Sequence, residues 1–395
     1  MIRCEELIEW MAVHGVDFYT GVPDSVLKQI CFYLEEHAGD NHVVTANEGG
    51  AVALATGHHL ATGSVPLVYL QNSGLGNMVN PLLSLAHKEV YSIPMLLLIG
   101  WRGEPGHHDE PQHMKQGKIM ARFLEEMDIP HRVMSRDPKA ARQGVDELLT
   151  IAKEESRPVA LVVRKNSFEP YETLGERVGE FEMTREEALE AVVSTLDERD
   201  AIVSSTGKIS RELYEYRDRN GQGHHREFLT VGSMGHASQI ALGIALAQPE
   251  REVYCLEGDG AMLMHMGGAA IVGAAGPSNF KHVIINNGVH DSVGGMAVAN
   301  FKHFVSNDTV HGSLGAMAVA GLRVSFGEIV RSCGYTEAWR VERPEDLPAA
   351  LEELRSAKGP AMLEIMVRQG ARPDLGRPKT TPIENKTAFT KFLSE

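Results

Sequence analysis

Two clusters at a fixed spacing carry the first legible chemistry: Gly258-Asp259-Gly260, then Asn286-Asn287-Gly288, with 25 residues (261–285) between the first cluster and the asparagines. Asp259 offers a carboxylate, Asn287 an amide oxygen, and the backbone carbonyl of Val289 a third oxygen. Hard oxygen donors of this kind suit Mg2+, which takes few protein ligands and completes its octahedron with phosphate oxygens and water. Gly258 and Gly260 let main chain approach a diphosphate closely. A helix opening at Ala261 turns amide N–H groups toward it. The alternative is a turn and a strand end with no ligand, since Gly-Asp-Gly triplets also mark ordinary turns.

The flanking sequence says what holds these groups. "EVYCLE" (252–257) and "HVIINN" (282–287) are short, apolar and partly β-branched, so they read as buried strands. Between them "AMLMHMGGAAIVGAAG" is one small-residue helix, stopped by Gly276 and Pro277. Strand, helix, strand makes a parallel crossover. Asp259 and Asn287 then lie past the carboxyl ends of neighbouring strands, where open α/β sheets bind ligands.

The same rhythm runs along the chain. "DFYTG" (17–21), "HVVTA" (42–46), "PLVYLQN" (66–72), "IPMLLLIG" (93–100) and "PVALVVR" (158–164) read as strands separated by helical patterns. A polar, poorly periodic stretch at 166–183 reads as a linker. "AIVSST" (201–206), "EFLTV" (227–231), the two strands above, "TEAWRV" (336–341) and "AMLEIMV" (361–367) repeat the pattern. The fold class is therefore α/β: two doubly wound parallel-sheet domains, 1–165 and 184–368, followed by a polar tail at 369–395 that either docks or stays loose. "VHDSVGGMAVANFKHFV" (289–305) returns as "VHGSLGAMAVAGLRVSF" (310–326), an offset of 21 residues that reads as a local duplication.

Composition narrows the partners. The chain has 395 residues and a net charge of −15, from 38 basic and 53 acidic side chains. That balance argues against nucleic acid or an anionic membrane. The four cysteines form no C-x-x-C pair and point to neither a disulfide framework nor a zinc site. "MIRCEELIEWM" is an amphipathic acidic helix rather than a signal peptide. No apolar run reaches the roughly 18 residues of a membrane span. A soluble, cytoplasmic protein acting on a small molecule is expected.

The Asp259–Asn287 span resembles the thiamin diphosphate motif, and the chain as a whole resembles the phosphonopyruvate decarboxylase family, with sulfopyruvate decarboxylases as close kin. The most specific pieces are "TGVPDSVLK" (20–28), "NEGGAVALATGHHLATG" (47–63), "LQNSGLGNMVNPLLSL" (70–85), "GWRGEPGHHDEPQHMKQG" (100–117), "STGKISREL" (205–213) and "EGDGAM" (257–262). The resemblance implies two thiamin diphosphate-binding domains, without the central third domain of many such decarboxylases. It implies thiamin diphosphate and Mg2+ as cofactors, with Asp259, Asn287 and the Val289 carbonyl on the metal. Thr206 and Gly207 would form the other diphosphate loop. Ser233 and Met234 would lie under the cofactor, Met234 bending it, although Met is also common core filler.

In such enzymes a glutamate of the first domain hydrogen-bonds the cofactor's aminopyrimidine and drives its proton exchange. Glu48, after the strand at 42–46, fits that role, although a first-turn helix acid has a dipole reason of its own. Asp24 and Ser25 stand where a proton and a hydroxyl are needed, or cap a helix. The stretch around 100–117 reads as a closing loop that supplies Arg102 and Lys115 to an anionic head group and His113 as proton donor; His290 would border the same substrate. Arg suits bidentate binding of a phosphonate. A solvated surface loop is the alternative for each residue singly. The implied reaction is loss of carbon dioxide from phosphonopyruvate, leaving phosphonoacetaldehyde. Sulfopyruvate or another short 2-oxo acid, a carboligase, and a cofactor-binding subunit without turnover are the rival readings. The resemblance also implies a homo-oligomer with active sites between chains.

Overall fold

The computed structural model describes residues 1–173, 181–291, 296–297 and 324–395. They form two compact units, each built on a six-stranded, wholly parallel sheet. The first sheet uses β1 (Tyr19–Gly21), β2 (His42–Val44), β3 (Leu67–Gln71), β4 (Met95–Gly100), β5 (His131–Val133) and β6 (Pro158–Val163). Their order is β2-β1-β3-β4-β6-β5. The second uses β7 (Ala201–Ser204), β8 (Glu227–Leu229), β9 (Val253–Gly258), β10 (Phe280–Asn286), β11 (Glu337–Val341) and β12 (Ala361–Met366), in the order β11-β12-β10-β9-β7-β8.

The order of strands fixes where ligands go. From β1 the chain steps outward to β2, then returns to β3 on β1's other side. From β7 it steps to β8, then returns to β9. Helices leaving neighbouring strands on opposite sides open a crevice at the strands' carboxyl ends. In the first unit Asp24 follows β1 and Asn72 follows β3. In the second, Thr206 follows β7 and Asp259 follows β9.

Central strands are apolar because helices cover both faces. Every residue of β4 and β6 is buried, as is every residue of β10. Each fully buried Leu, Ile or Val contributes about 1.5–3 kcal/mol relative to exposure. β5 is the strand that the sequence hid. It is three residues long, "HRV", sits at the sheet edge and is partly exposed, so it lacks an apolar run.

Two other expectations change. The stretch after Asp259 is two helices, Asp259–Met264 and Gly267–Ala275. His265 leaves helical geometry (φ −135°, ψ 46°), just before Gly267-Gly268, where helix propensity is low. The first helix also opens at Asp259, not at Ala261, with Gly258 as its cap. The stop at Gly276 is as expected, with φ 60°.

The residues assigned to the linker and tail are partly structural. Phe168 bridges to Ile2, and the Tyr171 amide donates to Gln29 Oε1 at 2.7 Å. The remainder of the linker, 174–180, lies outside the described residues, as does most of the duplicated 289–305/310–326 stretch. The tail docks as a helix, Pro382–Leu393, opened by a Thr381/Glu384 capping box. Phe389 and Phe392 enter the core of the second unit. Asn385 accepts from the Leu229 amide at 3.0 Å and donates to the Glu227 carbonyl at 2.8 Å. It thus satisfies backbone groups of the edge strand β8, which would otherwise be open to another chain. Among the described residues no helix is long and apolar enough to cross a membrane.

The tail's docking has a measurable consequence. Phe389→Ala removes a buried aromatic ring and should cost about 3–5 kcal/mol, read as a lower urea midpoint of the second unit. A midpoint equal to wild type would mean that the helix adds nothing to the fold.

Candidate active site

In the second unit the ends of β7, β9 and β10 border a cleft of about 70 Å³. Registration puts Gly258 opposite Ile285, so Asp259 leaves the sheet beside the end of β10, where Asn286 is the last strand residue and Asn287 the first beyond it. Asp259 and Asn287 are both buried, at 2% and 6% exposure. One carboxylate oxygen of Asp259, Oδ2, has no hydrogen-bond partner. Burial pushes its carboxyl up to about 7, although backbone amides, that of Asn287 among them, pull the other way. Asn287 donates through Nδ2 to Asp291 at 2.7 Å, and its Oδ1 accepts from the Val289 amide at 3.2 Å.

The cleft is also lined by Thr206, Gly207, Met234, Gly258, Gly260 and Ala261. Gly207 (φ 110°) caps the helix Lys208–Arg219, whose first amides open at the cleft wall. His290 lies against Gly260, where an added Cβ would stand 2.5 Å from the imidazole Cε1. Burial takes His290 down to about 4, so its ring is neutral at pH 7, and Nε2 has no partner. Ser233 does not join this group. It is exposed at a turn with φ 58° and lies outside the cleft lining.

This donor set fits a divalent cation carrying a diphosphate. It has an unpartnered buried carboxylate oxygen, an amide oxygen, room at the glycines and a helix N-terminus. Three charged lining residues were not singled out from the sequence: Arg185, Lys208 and Asp291. Lys208 and Asp291 sit inside quoted motifs, so adjacency alone signalled them. Arg185 opens a distant helix and gave no signal.

The first unit holds a second polar group. Gly21 ends β1 at φ 153°, where a Cβ would lie 2.0 Å from the Tyr69 carbonyl oxygen. Asp24, wholly buried, then accepts the Val26 and Leu27 amides on Oδ2 at 2.8 and 3.2 Å. Gln71 Nε2 donates to its Oδ1 at 2.6 Å. Burial raises its pKa, while Gln71 and the amides act to lower it. Asp24 therefore closes the turn ahead of the helix Lys28–His37, whose N-cap is Leu27 without a side-chain bond, so the helix cap that its Asp-Ser sequence also allowed is not formed. Ser25 is exposed and accepts from Arg102 Nη1 at 3.1 Å.

Arg102 is fixed at both ends. Its backbone pairs with Asn72 in both directions at 2.9 Å. Its guanidinium forks onto Asp109 through Nε (2.8 Å) and Nη2 (2.5 Å). His113 and Lys115 ride a helix, Pro111–Glu126, rather than a loop. Two residues apart on a helix, they point to different sides. His113 is half-buried beside Arg102, and Lys115 is exposed.

Glu48 opens the helix Glu48–Thr62 behind its cap Asn47. It is 6% exposed. Oε2 accepts from Asn77 Nδ2 at 2.7 Å. Gly74 makes space for it, since a Cβ there would lie 2.2 Å from Oε1. Asn77, the partner that aims this carboxylate, lay within a quoted motif but was not singled out.

Comparison with known proteins adds three kinds of likeness. Residues 4–126 match the family model of the thiamine pyrophosphate enzyme N-terminal TPP binding domain, and residues 205–365 that of the C-terminal TPP binding domain. The chain is 32% identical to a phosphonopyruvate decarboxylase of Streptomyces viridochromogenes, over 100% of this chain and 96% of that protein. The phosphonopyruvate decarboxylase of Streptomyces hygroscopicus is also 32% identical, over 100% and 95%. A sulfopyruvate decarboxylase of Methanosarcina acetivorans is 28% identical, over 73% of this chain and 76% of that protein.

The electrostatics of the first-unit group can be checked by pH. Burial and then the Arg102 charge hold His113 down at about 4, against 6.5 when unfolded. Protonation therefore favours the unfolded chain. The stability tied to a neutral His113 is complete above pH 6.5 and is lost as pH falls toward 4. His113→Gln should flatten the fall in melting temperature between pH 6.5 and pH 4.5, leaving the part due to His290. An unchanged pH profile would mean that His113 is as exposed to water and charge as a free histidine.

Proposed function

The chain belongs to the thiamin diphosphate-dependent phosphonopyruvate decarboxylase family, and from that premise we propose that it is a carboxy-lyase converting phosphonopyruvate to phosphonoacetaldehyde and carbon dioxide. The observation that carries the substrate is Arg102. Of the five N–H donors of a guanidinium, Asp109 takes two and Ser25 one, so two remain for an anionic head group. Ser25 adds a hydroxyl beside them. Bidentate arginine contacts favour the planar pairs of oxygens that a phosphonate presents.

Thiamin diphosphate, when bound, supplies the electron sink that a 2-oxo acid needs to release carbon dioxide. The chain supplies the rest. Asp259, Asn287 and the Val289 carbonyl hold Mg2+. Gly207, Gly258 and Gly260 leave room for phosphate oxygens, and the start of the Lys208 helix offers amides. Met234 supports the cofactor from the cleft wall. Glu48, aimed by Asn77, would hydrogen-bond the cofactor's pyrimidine and hold the proton it exchanges. His113 is neutral at pH 7 and gives or takes a proton beside Arg102. Asp24, with both oxygens engaged, orients the loop that carries Ser25. A dianion at Arg102 would raise the pKa of His113 and make it the better acid with substrate in place.

Glu48 and Asp259 must serve one cofactor, and we place them on different chains of a homo-oligomer. Apolar side chains left exposed support such an interface: Leu54 and Leu60 on the Glu48–Thr62 helix, and Leu246 and Ile271 on helices of the second unit. Sulfopyruvate is the second reading, favoured by the relative from Methanosarcina acetivorans. Its head has the same tetrahedral shape with one charge fewer at neutral pH.

A substrate panel with carbon dioxide detection tests the assignment. Arg102→Ala should lower kcat/KM for phosphonopyruvate by about 100-fold, the scale of a lost charge-paired contact, and change pyruvate little. Equal losses on both substrates, or wild-type turnover of pyruvate as fast as phosphonopyruvate, would refute the phosphonate reading while sparing the decarboxylase.

Glu48→Gln should bind cofactor normally and lose about 10²–10⁴-fold in turnover. Mixed with Asp259→Ala chains under subunit exchange, it should regain part of the wild-type rate. Exchanged mixtures that remain inactive would place each site within a single chain.

A further inference from the structure

Asn287 is an awkward metal ligand. Its amide presents an oxygen at one end and an NH2 at the other, and only the oxygen can face a cation. Rotation by half a turn costs no volume, so something must choose between the two ends. The structure shows two contacts that do. The Val289 amide donates to Oδ1 at 3.2 Å, and the shorter side-chain contact is Nδ2 of Asn287 donating to Asp291 Oδ2 at 2.7 Å. The reversed amide would put its oxygen against that carboxylate oxygen, a repulsive contact.

Asp291 is itself fixed. Its Oδ2 also accepts from Arg185 Nη1, and its Oδ1 accepts from the Gly370 amide at 3.2 Å. Arg185 is buried, at 5% exposure, and forks onto Glu212 through Nε at 2.7 Å and Nη2 at 2.6 Å. Glu212 is 1% exposed on the Lys208–Arg219 helix. The line Glu212–Arg185–Asp291–Asn287 therefore runs from the interior of the second unit to the cleft. Arg185 and Asp291 line that cleft, yet both oxygens of Asp291 are already accepting.

We infer that Asp291, held by Arg185, is a positioning residue that selects the metal-binding orientation of the Asn287 amide. The inference rests on the reading of Asn287 as a Mg2+ ligand. Outer partners of this kind are worth about 10–100-fold in metal affinity.

The test uses the full-length protein with thiamin diphosphate and Mn2+ as the probe, free Mn2+ being measured by electron paramagnetic resonance. Asn287→Ala should weaken Mn2+ binding, and Asp291→Ala should weaken it by about 10-fold or more. Added to Asn287→Ala, the second change should cost less than about twofold, because the two act through one group. In the Asn287→Asp background the ligand is a carboxylate with two equivalent oxygens. There is no orientation to choose, so Asp291→Ala should cost nothing. Should Asp291→Ala fail to fold, Asp291→Ser carries the same comparisons, its hydroxyl being too short to reach the amide. Wild-type affinity in Asn287→Ala would sink the metal reading itself. Wild-type affinity in Asp291→Ala, with Asn287→Ala weakened, would sink only the positioning role. An equal loss from Asp291→Ala in the Asn287 and Asn287→Asp backgrounds would show a general effect on the unit and overturn the inference.

Discussion

The second unit is organised around one costly placement: the carboxylate of Asp259 is where water hardly reaches it. A buried, unpaired carboxylate costs several kcal/mol. A protein alone escapes that cost by protonation, which is why burial drives this group up to about 7. A divalent cation is the other escape, and it keeps the carboxylate ionised. The surroundings would suit the second. β9 and β10 are paired so that an amide oxygen leaves the sheet beside the carboxylate. Glycines flank Asp259, and Gly260 lets a neutral imidazole close the wall. Each of these features depends on Asp259 standing at the end of a central strand.

The first unit uses its buried carboxylate differently. Asp24 is as deeply buried as Asp259, but three donors meet its two oxygens. Its burial is matched internally, so it stabilises the turn after β1 and leaves Ser25 facing out. The contrast separates two roles that look alike in sequence. A buried acid with a full set of donors serves the fold. A buried acid at a cleft wall with an oxygen left over, as Asp259 has, can serve a ligand.

The sequence disclosed the parts governed by local chemistry. Strand runs such as "PMLLLIG" and "HVIINN" were legible because parallel strands covered on both faces must be apolar throughout. Asp259 and Asn287 stood out by their spacing after two strand runs, and Glu48 only through the family resemblance, since Gly-Asp-Gly turns and first-turn helix acids have ordinary reasons of their own. β5 was not, because a short edge strand has one partner and need not be apolar. Neither was the break at His265, where small residues read as helix on both sides and only tertiary packing decides. Arg185 was hidden for a different reason. It enters the cleft from a helix far away in sequence, and long-range pairing leaves no mark on spacing. The His113 and Lys115 pair was misplaced onto a loop because Pro111 reads equally as a turn residue and as the first residue of a helix.

These observations bear on how an acidic chain can hold anionic ligands. A net charge of −15 repels them at long range. Two of the cations near these polar groups add little net charge, because they are already paired: Arg102 with Asp109, Arg185 with Glu212 and Asp291. Pairing removes net charge but fixes geometry. A guanidinium held by a carboxylate and a hydroxyl has lost its rotamer freedom before any ligand arrives, so binding does not bear that entropic cost again. The lost attraction has to be recovered elsewhere. In the second unit the donor set fits a divalent ion, which would supply it. In the first unit the only recovery available within the described group is local: unused N–H donors, a hydroxyl, and an imidazole that gains its proton only when a negative charge is next to it. A neutral ligand would bring nothing to raise the imidazole or to engage the remaining donors of Arg102.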